Sequence, residues 1–156
     1  MSKIYMDQDL IEINLEAVDN KEVIEKLSKI LLEKNLVKSN YKDEVLKRED
    51  NFPTGLNSGY IRFAIPHTEA KFVNKTAMAV AVLKDTVSFN KMENKNENLD
   101  VKLVFLLAVN DPNNQVKVLQ KLMGGMQNKE LVDTIINSRS KEEILDIIDR
   151  EFLTKF

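Results

Sequence analysis

Val101-Lys102-Leu103-Val104-Phe105-Leu106-Leu107-Ala108-Val109 is the stretch whose reading decides the fold. It is almost continuously apolar, as a central strand covered on both faces must be. Its longest uninterrupted part, 103–109, is far too short to cross a bilayer. Upstream, 76–83 is small and apolar on both faces and predicts a second buried strand. Val87 to Phe89 reads as a further short strand, followed by a polar loop over 90–98. Near the start, Leu10, Ile11, Ile13 and Leu15 partly alternate with polar residues, which predicts a short strand or an extended entry segment there.

Helical periodicity fills the intervals. Asp19 with Glu22 forms a capping-box pair, and Val23, Leu27, Ile30 and Leu31 then recur at helical spacing to about Glu33. A shorter helix is predicted from about Asn40 to Lys47, with Tyr41 and Val45 on one face. Asp111-Pro112 reads as an N-cap with a first-turn proline. In the helix that follows, Val116, Leu119, Leu122, Met123 and Met126 are expected to form the buried face, and Gly124-Gly125 to weaken its end. Asn128 is placed to cap a helix carrying Leu131, Ile135 and Ile136, and Ser140 with Glu143 to box one carrying Ile144, Ile147 and Ile148. Strands and helices alternate with no repeat and no linker. The expected architecture is therefore α/β, one domain over residues 1–156, a sandwich with a central mixed β-sheet flanked by helices.

The bulk composition narrows the function. The chain has 156 residues, 43% hydrophobic and 31% charged, with a net charge of -2 from interspersed acids and bases. That balance excludes disorder and gives no footprint for nucleic acid or an anionic membrane. It has no cysteine and a single histidine, which leaves no ligand set for zinc and no thiol nucleophile. The residues from Met1 to Asp7 lack the apolar core of a signal peptide, so a cytoplasmic protein is expected. No phosphate-binding glycine loop, dinucleotide fingerprint or serine elbow is present.

What remains is His67. It follows Pro66 at the end of a candidate strand, 61–65, which itself comes after the turn-forming stretch Asn51-Phe52-Pro53-Thr54-Gly55-Leu56-Asn57-Ser58-Gly59. That stretch is not expected to be helix or central strand, and the proline denies a ladder hydrogen bond just before the histidine. A neutral imidazole is a competent nucleophile near neutral pH, and strand ends present such groups rigidly. Taken alone, a lone histidine is also compatible with a purely structural role.

The stretch Lys47-Arg48-Glu49-Asp50-Asn51-Phe52-Pro53-Thr54-Gly55-Leu56, followed by Ala64-Ile65-Pro66-His67-Thr68-Glu69-Ala70, resembles the IIA domains of the bacterial sugar phosphotransferase system, fructose–mannitol superfamily. The Arg-Glu, Pro-Thr-Gly-Leu and Ala-Ile-Pro-His elements stand in the family's order and spacing, and the similarity extends over nearly the whole chain. The resemblance implies that His67 takes a phosphoryl group from the histidine-containing phosphocarrier protein, on Nε2. It then hands the group to a cysteine of a IIB component, which serves a membrane IIC component. No cofactor and no metal are implied. Arg48 matches the family's arginine and would stabilise the phosphate, while a solvated arginine at a helix end is the plain alternative. Thr54 would offer a hydroxyl and an amide, or simply form the turn. Glu49 would hold Arg48 or the loop in place. Many members carry a second histidine where this chain has Gln115, which cannot titrate near neutrality but can hydrogen-bond to phosphoryl oxygens or to the imidazole; it is equally readable as a helix-surface residue. Pro112-Asn113-Asn114-Gln115 together with Phe52-Pro53-Thr54-Gly55-Leu56 points to the galactitol-type branch. An apolar docking surface around His67 is expected from Phe52, Leu56 and Phe63. Two alternatives stay open: a nitrogen-related regulatory phosphoacceptor, and a non-catalytic interaction module.

Overall fold

The apolar run quoted above lies within strand β5 (Asn98–Ala108), which pairs antiparallel with β4 (Ala77–Asn90) and parallel with β3 (Arg62–Ala64). The computed structural model describes residues 4–153; residues 1–3, which begin the segment read for a signal peptide, and 154–156 lie outside it. Strand β1 (Ile11–Leu15) runs parallel to β4, and β2 (Gly55–Asn57) antiparallel to β3, giving one mixed sheet in the order β1-β4-β5-β3-β2. The expected mixed sheet flanked by helices is the architecture observed.

Strand alternation divides the core into two layers. Val80, Val82, Leu103, Phe105 and Leu107 face α3 (Pro112–Gly125), α4 (Lys129–Asn137) and α5 (Lys141–Ile148). Ala77, Ala79, Ala81, Val104 and Leu106 face α1 (Asn20–Glu33) and α2 (Tyr41–Asn51). The alanines on that face leave room for α1 to lie close against β4. Caps fall where the sequence puts them: Asp19 Oδ1 accepts from Glu22 N at 2.9 Å, Asn128 Oδ1 from Leu131 N at 3.1 Å and Ser140 Oγ from Glu143 N at 3.2 Å. Among the described residues no helix is long and apolar enough to cross a membrane.

Three details differ from expectation. Val87 to Phe89 is not a separate strand. β4 continues through it, with a register shift between Val82 and Val87 where exposed Lys84, Asp85 and Thr86 interrupt the apolar pattern without breaking the pairing. Helix α2 ends at Asn51 rather than near Lys47, because nothing in Arg48-Glu49-Asp50 opposes helix and only Pro53 forbids its continuation. The buried face of α3 is Val118 and Leu122, continued by Met126, with Leu119 half-buried. Val116 (56% exposed) and Met123 (39%) were expected inside and lie outside. Val118, Leu122 and Met126 form a line four residues apart, and Val116 stands roughly 200° round the helix from Val118.

Candidate active site

The short β2–β3 hairpin brings the two sequence elements flanking the turn together. Gly55 sits where a Cβ would lie 2.6 Å from the Asn90 backbone oxygen, so only glycine lets this edge strand approach the end of β4. Gly55 O accepts from Met92 N at 2.9 Å, which fixes that approach. Strand β3 then leads into Ile65-Pro66-His67. Pro66 has no N–H to give, but its carbonyl accepts from Leu107 N at 3.0 Å and ties the segment to the middle of the sheet.

His67 is 8% exposed, with Nδ1 2.8 Å from the Ile65 carbonyl oxygen. A carbonyl can only accept, so Nδ1 carries the proton and the lone pair of the neutral ring resides on Nε2. Among the described residues no hydrogen bond reaches Nε2. Burial holds the imidazole pKa below its ordinary 6.5; the Ile65 carbonyl pulls the other way, and the positive charge of Arg48 adds to the lowering. The ring is therefore neutral at pH 7.

Arg48 occupies the last turn of α2, half-buried, with its guanidinium 5.4 Å from the centroid of the Phe52 ring. Its Nε is enclosed and, among the described residues, has no hydrogen-bond partner, and its charge acts on the His67 ring. Glu49, one residue on, turns away to the loop: Oε2 accepts from Thr54 N and Oε1 from Thr54 Oγ1, both at 2.8 Å. Burial pushes this carboxyl up to about 7, against the two Thr54 bonds, with nearby Asp50 adding to the rise. Of the two roles read for Glu49, holding the loop is the one its contacts fit. Thr54 Oγ1 in turn accepts from Ile65 N at 3.2 Å. Gln115, in the first turn of α3, donates from Nε2 to Thr68 O at 2.8 Å, so its amide secures the residue after His67 and not the imidazole itself.

The five residues singled out in the sequence thus belong to one locality, into which Arg48 brings positive charge, while the donors of Thr54 and Gln115 are taken up by Glu49 and Thr68. Phe63 does not belong to its surface: at 2% exposure it is part of the core against Leu103. Its place in a three-residue strand paired on both sides explains the burial. Phe52 (66% exposed) does stand at the surface, and Leu56 is half-buried. Two features were missed. Exposed Val116 adjoins Gln115, and helical spacing alone carried that signal. Tyr41, fully buried on α2, donates its hydroxyl to Leu107 O, and burial holds its pKa well above the ordinary value. A lone tyrosine on an apolar helix face was the available clue.

Residues 4–151 match the family described as "Phosphoenolpyruvate-dependent sugar phosphotransferase system, EIIA 2", and the chain belongs to that family. It is a IIA component of a sugar phosphotransferase system, a class that transfers phosphoryl groups. Among its relatives, the "PTS system galactitol-specific EIIA component" of Escherichia coli K12 is 32% identical over 119 residues, covering 76% of this chain and 79% of that protein. The solved complex of IIA mannitol with phosphorylated IIB mannitol from Escherichia coli has a chain with TM-score 0.76 at 20% identity, covering 94% of this chain and 99% of that one. The nitrogen regulatory protein IIA-Ntr from Neisseria meningitidis gives TM-score 0.72 at 23% identity, covering 91% and 94%. These two likenesses establish a shared fold.

Proposed function

We propose that this chain is the phosphohistidine carrier of a bacterial sugar-uptake system, galactitol-like in type, working in the cytoplasm. The observation that supports it most is the bond from His67 Nδ1–H to the Ile65 carbonyl, which leaves the Nε2 lone pair as the nucleophile. In the first half-reaction Nε2 attacks the phosphorus held by the histidine-containing phosphocarrier protein. The N–P bond to the donor breaks, its electron pair returns to the donor ring, and a new bond forms to Nε2. In the second, a IIB cysteine thiolate attacks and Nε2 recovers its pair. No external base is needed in either direction, because the Nδ1 proton stays in place and the Ile65 carbonyl favours the positive charge that develops on the ring.

Arg48 supplies the electrostatics. A phosphoryl group carries nearly two negative charges, and the guanidinium of half-buried Arg48, whose charge already acts on the His67 ring, would donate to it. A charge-assisted hydrogen bond of this kind contributes roughly 1.5–3 kcal/mol. Gln115 keeps the chain beyond His67 in place through Thr68. Exposed Phe52 and Val116 serve the carrier and IIB partners as a small, transient docking rim, since a carrier that binds tightly cannot cycle. The test is incubation with phosphoenolpyruvate, the first enzyme of the system and its phosphocarrier. Acid-labile phosphate is expected on the wild type and none on His67→Ala. No label on the wild type, or equal label on both, refutes the reading.

A further inference from the structure

Glu49 is an odd residue to bury. It is 5% exposed, and its carboxyl meets no cation among the described residues: both bonds it receives come from Thr54. Desolvating a carboxyl is costly, and a helix end facing a turn does not require one. The carboxyl lies instead at the head of a chain of contacts. Thr54 N and Oγ1 each donate to it at 2.8 Å, Ile65 N donates to Thr54 Oγ1 at 3.2 Å, and the carbonyl of the same Ile65 holds His67 Nδ1 at 2.8 Å. The β2–β3 ladder pairs Gly55 with Ala64. One step further, opposite Ile65, a side-chain hydroxyl takes the place of a backbone carbonyl. With Pro66 unable to donate, Ile65 N and the Leu107-bound Pro66 carbonyl are the two points that fix this segment.

We infer that Glu49 is a positioning residue for phosphoryl transfer, which through Thr54 fixes the Ile65 backbone and so selects the Nδ1–H tautomer of His67. The inference rests on the carrier reading for its catalytic meaning, but its structural half can be measured without transfer. A hydroxyl offers one proton and two lone pairs. With the Glu49 carboxyl receiving its proton, Thr54 Oγ1 keeps its lone pairs directed at Ile65 N; without the carboxyl the hydroxyl rotates freely. Glutamine can restore the arrangement, since its oxygen accepts from Thr54 N and its amide donates to Thr54 Oγ1, leaving a lone pair for Ile65.

The test uses the full chain as wild type, Glu49→Ala, Glu49→Gln, Thr54→Val and Thr54→Ser. Long-range proton–nitrogen spectra of the histidine ring report which nitrogen carries the proton, and the phosphocarrier assay reports transfer. Wild type is expected to show Nδ1–H. Glu49→Ala and Thr54→Val are expected to show mixed tautomers and transfer slowed by roughly an order of magnitude or more. Glu49→Gln and Thr54→Ser should recover most of both. A folded Glu49→Ala or Thr54→Val that keeps the wild-type tautomer overturns the inference. Should Glu49→Ala not fold, the near-isosteric Thr54→Val decides by the same readings. A wild type that takes no phosphate defeats the carrier reading while leaving the tautomer result standing.

Discussion

Replacing Glu49 by Gln isolates the energetic consequence of a buried carboxyl that titrates near neutrality. Burial moves the group from its ordinary 4.5 to about 7. The folded chain therefore holds this proton more tightly than the unfolded chain does. The stabilisation it contributes is fully present below about pH 4.5 and is lost as the pH rises through 7. A change of that size corresponds to roughly 3 kcal/mol, at about 1.4 kcal/mol for each tenfold change in proton affinity. Glutamine preserves the contacts with Thr54 but cannot ionise, so the other titrating groups cancel when the two proteins are compared. Urea unfolding of both proteins from pH 4.5 to pH 8 should give a stability difference that moves in favour of the variant by up to roughly 3 kcal/mol, nearly complete at pH 8. A difference that stays flat across this range, or runs in the opposite sense, refutes the reasoning.

Arg48→Ala should slow phosphoryl exchange while leaving the melting temperature within a few degrees, because among the described residues Arg48 Nε has no hydrogen-bond partner to lose and the guanidinium lies over an exposed ring, that of Phe52; unchanged exchange rates would remove Arg48 from the site. The His67 ring should titrate below the ordinary 6.5, and its midpoint should rise, without fully recovering, in Arg48→Ala, since burial is the first cause and the arginine charge a lesser one. A proton NMR titration reads both, and a midpoint above 6.5 in the wild type contradicts the site's electrostatics. Gly125→Ala would set a Cβ 2.1 Å from the Phe152 ring, so the buried ring must shift. A loss of about 1–3 kcal/mol in denaturant unfolding is expected, and an unaltered midpoint would show that the ring is not held there.

Much of the architecture could be read in advance because single physical causes dominated each segment. The run from Val101 to Val109 had nowhere to go but the middle of a sheet, and the caps at Asp19, Asn128 and Ser140 mark helix starts locally. Where the reading failed, two neighbours competed for the same signal. Val116 and Met123 are as apolar as Val118, and only packing against the sheet decides which line of α3 turns inward. The end of α2 escaped because Arg48-Glu49-Asp50 is neutral between helix and turn, and the helix stops only where Pro53 requires it. The position of Phe63 was missed for the converse reason. Its three-residue strand is too short to show alternation, yet β2 and β5 enclose it. At the site, His67 stood out by being the sole imidazole beside a proline. The course of Glu49 through Thr54 to Ile65 depends on side-chain orientations that no spacing encodes.

Leu107 links the two halves of this centre. Its carbonyl takes the Tyr41 hydroxyl from the helix that bears Arg48 and Glu49, and its amide holds the Pro66 carbonyl next to the histidine. The helix that carries the guanidinium and the segment that carries the imidazole are thus both tied to one residue of the middle strand. Under the proposed carrier function, the donor and the acceptor protein would then meet one and the same reaction geometry.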